Sequence, residues 1–191
     1  PNLAQVPSAH EYRELFIAGD DRVVVGADAS GLELRCLASY LHRFDGGKFA
    51  REVVDGDIHT HLAGIYGTDR KSGKGVTYCL IYGGGDTKLG LTAGAPKAQA
   101  AKKGKEIRSR IMRDLDGFKQ LSDAVSRRAQ SGVLRGLDGR PIRLQGKNHA
   151  ALNYLLQSAG AVICKKWVIR AHELLREAGV DYTPLAFIHD E

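Results

Sequence analysis

Residues 70–82 read Arg70-Lys71-Ser72-Gly73-Lys74-Gly75-Val76-Thr77-Tyr78-Cys79-Leu80-Ile81-Tyr82. The pattern predicts a helix. On it Arg70, Lys74, Tyr78 and Tyr82 fall on one stripe, at successive steps of four. Two cations followed by two aromatics suit a nucleoside triphosphate. A guanidinium holds phosphate bidentately and an ammonium acts as a point charge. Phenol rings stack on base or sugar. An amphipathic surface helix with half-buried tyrosines is the other reading of the same stripe. Gly73 and Gly75 lower its intrinsic helix propensity by about 1 kcal/mol each relative to alanine. Gly83-Gly84-Gly85 ends it, and Cys79, off the stripe, is expected to pack.

Upstream, residues 22–27 (Arg-Val-Val-Val-Gly-Ala) form a β-branched run that predicts a buried strand. Asp28-Ala29-Ser30-Gly31 ends it, and Leu32, Leu34, Leu37, Ala38, Leu41 and Phe44 then recur at helical spacing. Gly46-Gly47 breaks that helix, a second covers about 48–54, and Asp57 is placed to cap a third starting near Ile58. Downstream, the stretch from Pro96 to about Gly132 predicts helix, and Leu134–Leu144 predicts a hairpin around Asp138-Gly139. Ala150–Ala178 predicts a long helix, open to a bend at Gly160, with Asn153 and Gln157 one turn apart on one face. Leu185-Ala186-Phe187-Ile188 predicts a second strand, followed by His189-Asp190-Glu191.

The charge is uneven. The chain of 191 residues carries a net +6, but Lys97–Lys147 alone holds fourteen Lys or Arg against five acids, a net +9. The remainder is therefore at −3. A basic middle between mildly acidic ends fits a lobe that faces a polyanion, although a solvated helical face has the same composition. With 43% hydrophobic residues the chain is not disordered by composition. It has no apolar run long enough to span a bilayer. Three scattered cysteines (Cys36, Cys79, Cys164) argue against a disulfide framework and fit a reducing compartment.

Asp28 and Asp190 each follow a short apolar run. If those runs are neighbouring strands, the two carboxylates converge at one sheet edge. Such oxygen donors suit Mg²⁺, which keeps waters and substrate phosphates as its other ligands. Aspartates at strand ends also serve as turn formers and helix caps. His59-Thr60-His61 beside Asp57 does not read as a metal site, because residues two apart do not share a helical face. A phosphate contact from one histidine at a helix start is the better functional reading.

Taken together, these segments resemble the family A DNA polymerases, of the DNA polymerase I type, and within them the replicative polymerases of short-tailed bacteriophages. Asp28-Ala29-Ser30-Gly31-Leu32-Glu33-Leu34-Arg35 is similar to the family's first polymerase motif. Arg70, Lys74, Tyr78 and Tyr82-Gly83 fall at the spacing of its second, and His189-Asp190-Glu191 matches its third. Gly56–Thr60 and the two segments Ala151–Asn153 and Gln157–Ala161 are similar to further segments, in the same order. Where the phage group tends to have Tyr-Gly, this chain has Tyr78-Cys79.

The resemblance implies an α+β fold: a polymerase palm, an antiparallel sheet backed by helices, with a mostly helical fingers subdomain. Residues 1–45 and 144–191 would be palm and 46–143 fingers, with thumb and exonuclease segments absent from this chain and the terminal hairpin cut at Glu191. It implies a template-directed DNA polymerase acting on primer-template DNA and deoxynucleoside triphosphates. Asp28, Asp190 and the Ala29 carbonyl would carry two Mg²⁺ ions. Glu33 would wall off the 2′ side of the sugar. His59, Arg70 and Lys74 would bind the triphosphate, Lys74 also donating a proton to pyrophosphate. Tyr78 would sit under the sugar and favour acceptance of dideoxynucleotides. Tyr82 would stack near the template. Asn153 and Gln157 would read minor-groove acceptors, a degenerate code suited to copying. His189 would lie by the primer end and Glu191 would support the metal site. Implied as well are a cytoplasmic location in a bacterial host, no membrane partner, and room for a processivity factor on the thumb. Two alternatives stand beside this: a non-catalytic nucleic-acid-binding remnant of the fold, and a single-subunit RNA polymerase.

Overall fold

The computed structural model describes residue 6 and residues 10–188, the Arg13 side chain excepted. In chain order its helices are α1 (His10–Arg13), α2 (Leu32–Asp45), α3 (Lys48–Asp55), α4 (Ile58–Tyr66), α5 (Arg70–Ile81), α6 (Asp86–Thr92), α7 (Ala100–Asp114), α8 (Phe118–Ala129) and α9 (Ala151–Glu177). Short 3₁₀ turns precede α7 and α9. Between α8 and α9 lies an antiparallel hairpin, β1 (Val133–Arg135) and β2 (Pro141–Arg143), with Leu134 opposite Ile142. The fold is α+β. Residues up to Leu32 and from Ala161 onward form one compact unit, and Glu33–Gly160 forms the other.

The larger unit has the apolar core. Leu34, Leu41, Leu62, Tyr66, Val76, Leu89, Ile107, Leu144 and Leu156 are each fully buried there. Local chemistry sets the helix starts. The buried Asp45 carboxylate accepts from the Gly47 N–H at 2.7 Å and the Phe49 N–H at 2.8 Å, filling donors that α3 leaves open. Asp57 caps α4 through the Thr60 N–H, and Asp69 caps α5 through the Ser72 N–H at 3.0 Å.

Gly73 is a packing requirement rather than a weakness. A Cβ there would stand 2.6 Å from the Ala63 Cβ, so its absence lets α5 close on α4. The same device joins α6 to α7. A Cβ on Gly104 would fall 1.8 Å from the Asp86 carbonyl oxygen, and one on Gly90 would fall 1.9 Å from that of Ala100.

The runs at 22–27 and 185–188 are not strands in the described chain. Val23 is 83% exposed and Leu185 73%. A β-branched run becomes a strand only when a neighbour takes its N–H and C=O groups, and among the described residues β1–β2 is the only pairing. The stretch from Pro96 to Gly132 is two helices, broken at Leu115–Gly117, where Gly117 adopts φ +78°. α6 and α1 were not anticipated. α9 runs unbroken through Gly160. Cys79 packs, as expected, at 7% exposure.

In the smaller unit, Arg22 from the first of these runs donates to the Asp181 carboxylate and, at 3.4 Å, to its carbonyl oxygen. The His172 and Tyr182 rings stack with centroids 5.3 Å apart, and the Tyr182 hydroxyl meets His172 Nδ1 at 2.8 Å. Arg22 and the segment that follows α9 thus lie side by side in this unit. No described helix is long and apolar enough to cross a membrane.

Candidate nucleotide site

The site is built on one face of α5, within the larger unit. Arg70 and Lys74 are exposed, and Tyr78 is half-buried. The Tyr78 and Tyr82 rings stack, 6.2 Å between centroids and 20° between planes. His59, on the first turn of α4, tilts over Tyr78 at 6.4 Å. α5 ends as Gly83 takes φ +74°, and Arg108 of α7 pins the glycine turn by donating to the Gly84 carbonyl at 2.9 Å and to Asp86 at 2.8 Å.

Two other elements reach the same tyrosine. Glu33, on the first turn of α2, accepts from the Tyr82 hydroxyl at 2.6 Å. Gln157 of α9 is near enough to that hydroxyl to offset part of the rise in its pKa. Asn153, one turn earlier, lies against Gly83: a Cβ built there would stand 3.7 Å from the Asn153 Nδ2. Its Oδ1 is buried without a hydrogen-bond partner in the described chain. Behind the glycine turn is a cavity of about 270 Å³, lined by Tyr66, Leu80, Met112, Phe118, His149 and Leu156 among others.

The electrostatics of this face are set by close neighbours. Burial, followed by the positive charges of Lys74 and Arg70, holds the His59 pKa below its ordinary value. His59 Nδ1 is buried and unpartnered. A neutral imidazole beside two exposed cations is a hydrogen-bond donor suited to an anion. Burial and the Glu33 carboxylate raise the Tyr82 phenol well above its usual range, which further favours its protonated, donating form. Asp57 accepts from Arg70 Nε at 2.7 Å and Nη2 at 3.2 Å, and from the Thr60 hydroxyl at 2.8 Å. These bonds hold its carboxyl far below the usual carboxylate range.

A cationic stripe, stacked tyrosines and a carboxylate from a separate helix thus share one face. Comparison with known proteins decides the family: the model of DNA polymerase family A matches residues 1–191. The chain belongs to DNA polymerase family A. It is 37% identical over its whole length to the DNA-directed DNA polymerases of Enterobacteria phage T3 and Escherichia phage T7, covering 31% of each. It is 26% identical to DNA polymerase I of Pseudomonas aeruginosa, covering 23% of that protein. A solved structure, the POL domain of Pol1 from M. smegmatis in complex with DNA primer-template and dNTP, superposes over the whole chain with a TM-score of 0.75 at 22% identity, and the chain spans 37% of it. The chain therefore spans about a third of the length of the phage relatives it matches.

Within this family A chain, Glu33, His59, Arg70, Lys74, Tyr78, Tyr82, Asn153 and Gln157 all belong to the larger unit. Asp28 and Ala29 belong to the smaller one, with Asp28 exposed. His189, Asp190 and Glu191 lie outside the described residues. No group of three or more His, Cys, Asp or Glu side chains gathers among the described residues. The donors that are described, the Asp28 carboxylate and the Ala29 carbonyl, are hard oxygens of the kind a divalent cation of the Mg²⁺ class takes. Sequence reasoning placed Asp57 only as a cap. Its pairing with Arg70 spans thirteen positions and has no local signature. The arginine at the first residue of α5, facing an N-cap aspartate of the preceding helix, was the signal available.

Proposed function

We propose that this chain is the palm and fingers portion of a template-directed DNA polymerase, with the α5 face as its deoxynucleotide site. The observation that carries the proposal is the Tyr82–Glu33 hydrogen bond on the same face as Arg70, Lys74 and Tyr78, in a chain of this family. In this reading the larger unit holds the fingers and the smaller one the ends of the palm. Arg70, Lys74 and neutral His59 take the triphosphate. Tyr78 lies under the sugar and Tyr82 near the template base. Glu33, held by Tyr82, occupies the space a 2′-hydroxyl would need. Asn153 and Gln157 face the minor groove, where both pair types offer acceptors. His189 and Glu191, outside the described residues, would serve the primer end and the metal site.

Asp28, the Ala29 carbonyl and Asp190 would hold two Mg²⁺ ions. When bound, these ions lower the pKa of the primer 3′-hydroxyl and neutralise charge on the departing pyrophosphate. The protein's part is positioning and fixed charge. Lys74 would give a proton to pyrophosphate. Primer-template DNA and deoxynucleoside triphosphates are then the partners, with a cytoplasmic site of action.

Primer extension by the full-length protein tests the proposal. Extension is expected in Mg²⁺, falling at least about a thousandfold in Asp28→Ala and in Asp190→Ala. Full extension by either variant would remove the two-carboxylate assignment. No extension by the wild type would favour a nucleic-acid-binding role instead.

A further inference from the structure

We infer that Asp57 is a positioning residue that fixes Arg70 for the triphosphate. This rests on the nucleotide site proposed above. A guanidinium has five N–H donors. Asp57 takes two of them, on the Nε–Nη2 edge, at 2.7 and 3.2 Å. Both Nη1 hydrogens and the outer Nη2 hydrogen remain, enough for a bidentate contact with phosphate. The carboxylate therefore grips the side of the fork, and its end meets no acceptor among the described residues.

Asp57 is itself held. It is the N-cap of α4, accepting from the Thr60 backbone N–H at 3.3 Å and the Thr60 hydroxyl at 2.8 Å. One carboxylate thus ties the first turn of α4, which carries His59, to the first residue of α5. Both side chains of the Asp57–Arg70 pair are about half exposed. Such pairs add little to stability, so the value of this one lies in geometry. An unrestrained arginine carries several rotatable bonds, and ordering it on binding costs affinity. Asp57 makes that ordering a property of the free protein.

Asparagine is as good an N-cap as aspartate, so Asp57→Asn keeps α4 while removing the charge and one of the two acceptor oxygens that grip Arg70. The test is steady-state primer extension by the full-length protein with dATP as the varied substrate. Asp57→Asn is expected to raise KM for dATP about three- to tenfold, with a smaller change in kcat and an unchanged melting temperature. In an Arg70→Lys background, where no bidentate grip exists, the same substitution is expected to change KM less than twofold. A KM that is unchanged, or that falls because a competing anion was removed, overturns the inference, as does an equal effect in the Arg70→Lys background. Wild-type protein that does not extend primers overturns the proposed function and this inference together, whereas wild-type extension with an unaltered Asp57→Asn KM overturns this inference alone.

Discussion

The Tyr82 hydroxyl donates to Glu33 Oε1 at 2.6 Å, joining the C-terminal end of α5 to the first turn of α2 across 49 positions of sequence. Glu33 is half-buried and Tyr82 half exposed. The bond therefore fixes a carboxylate at the edge of the α5 face, where under the proposed function its orientation would decide how much room a sugar has.

Removing only that hydroxyl is a mild change with a specific consequence. Tyr82→Phe keeps the ring that stacks on Tyr78 and releases Glu33. Discrimination between dATP and ATP, read as the ratio of kcat/KM values, is expected to fall about three- to tenfold, within the worth of a hydrogen bond to a charged group. A ratio unchanged from wild type would mean that Glu33 is held by something else.

The two glycines early in α5 should respond oppositely. Gly73→Ala sets a Cβ 2.6 Å from the Ala63 Cβ and 2.9 Å from its Cα, which forces α4 and α5 apart. Overpacking of this kind costs about 1–3 kcal/mol. Gly75→Ala meets only the Thr92 methyl at 3.0 Å, the end of a half-buried side chain. There the gain in helix propensity, about 1 kcal/mol, is the larger effect. Thermal midpoints are expected to fall for Gly73→Ala and to hold or rise for Gly75→Ala. The reverse order would contradict the helix packing.

His59 gives the site a pH signature. Its folded pKa lies below the ordinary value of 6.5, through burial and then the charges of Lys74 and Arg70. The unfolded chain thus binds the proton more readily than the folded one. The contribution to stability is full above pH 6.5 and is lost as pH falls from there to the folded pKa. A histidine titration followed by NMR should show the His59 midpoint below 6.5. It should move upward when triphosphate binds, because added anionic charge favours the imidazolium. A midpoint at or above 6.5 in the free protein would contradict the burial of Nδ1.

Much of this site was legible because its chemistry repeats at helical spacing. Arg70, Lys74, Tyr78 and Tyr82 are four apart, so one helix brings them together whatever surrounds it. Asp45, Asp57 and Asp69 act on backbone N–H groups within two to four residues, and Asp57 was readable as a cap from the sequence. What was not legible depends on distant partners. Asp57–Arg70 and Glu33–Tyr82 join residues that no local pattern connects. Gly73 read only as a cost to helix propensity because the Ala63 methyl that excludes a side chain there belongs to another helix. The valines at 23–25 have strand propensity, but propensity does not supply the neighbour that a strand requires. α6 is only seven residues long and contains Gly90, which its contact with α7 demands.

In the proposed function the α5 face takes a deoxynucleotide with Glu33 against its 2′ side. The most direct measurement is incorporation of ATP against dATP by the full-length protein and its Glu33→Ala variant, on one primer-template. Strong preference for dATP is expected in the wild type, and in Glu33→Ala a rise in kcat/KM for ATP that lowers the preference at least about tenfold. Equal use of ATP and dATP by the wild type, or an unchanged preference in Glu33→Ala, would contradict it.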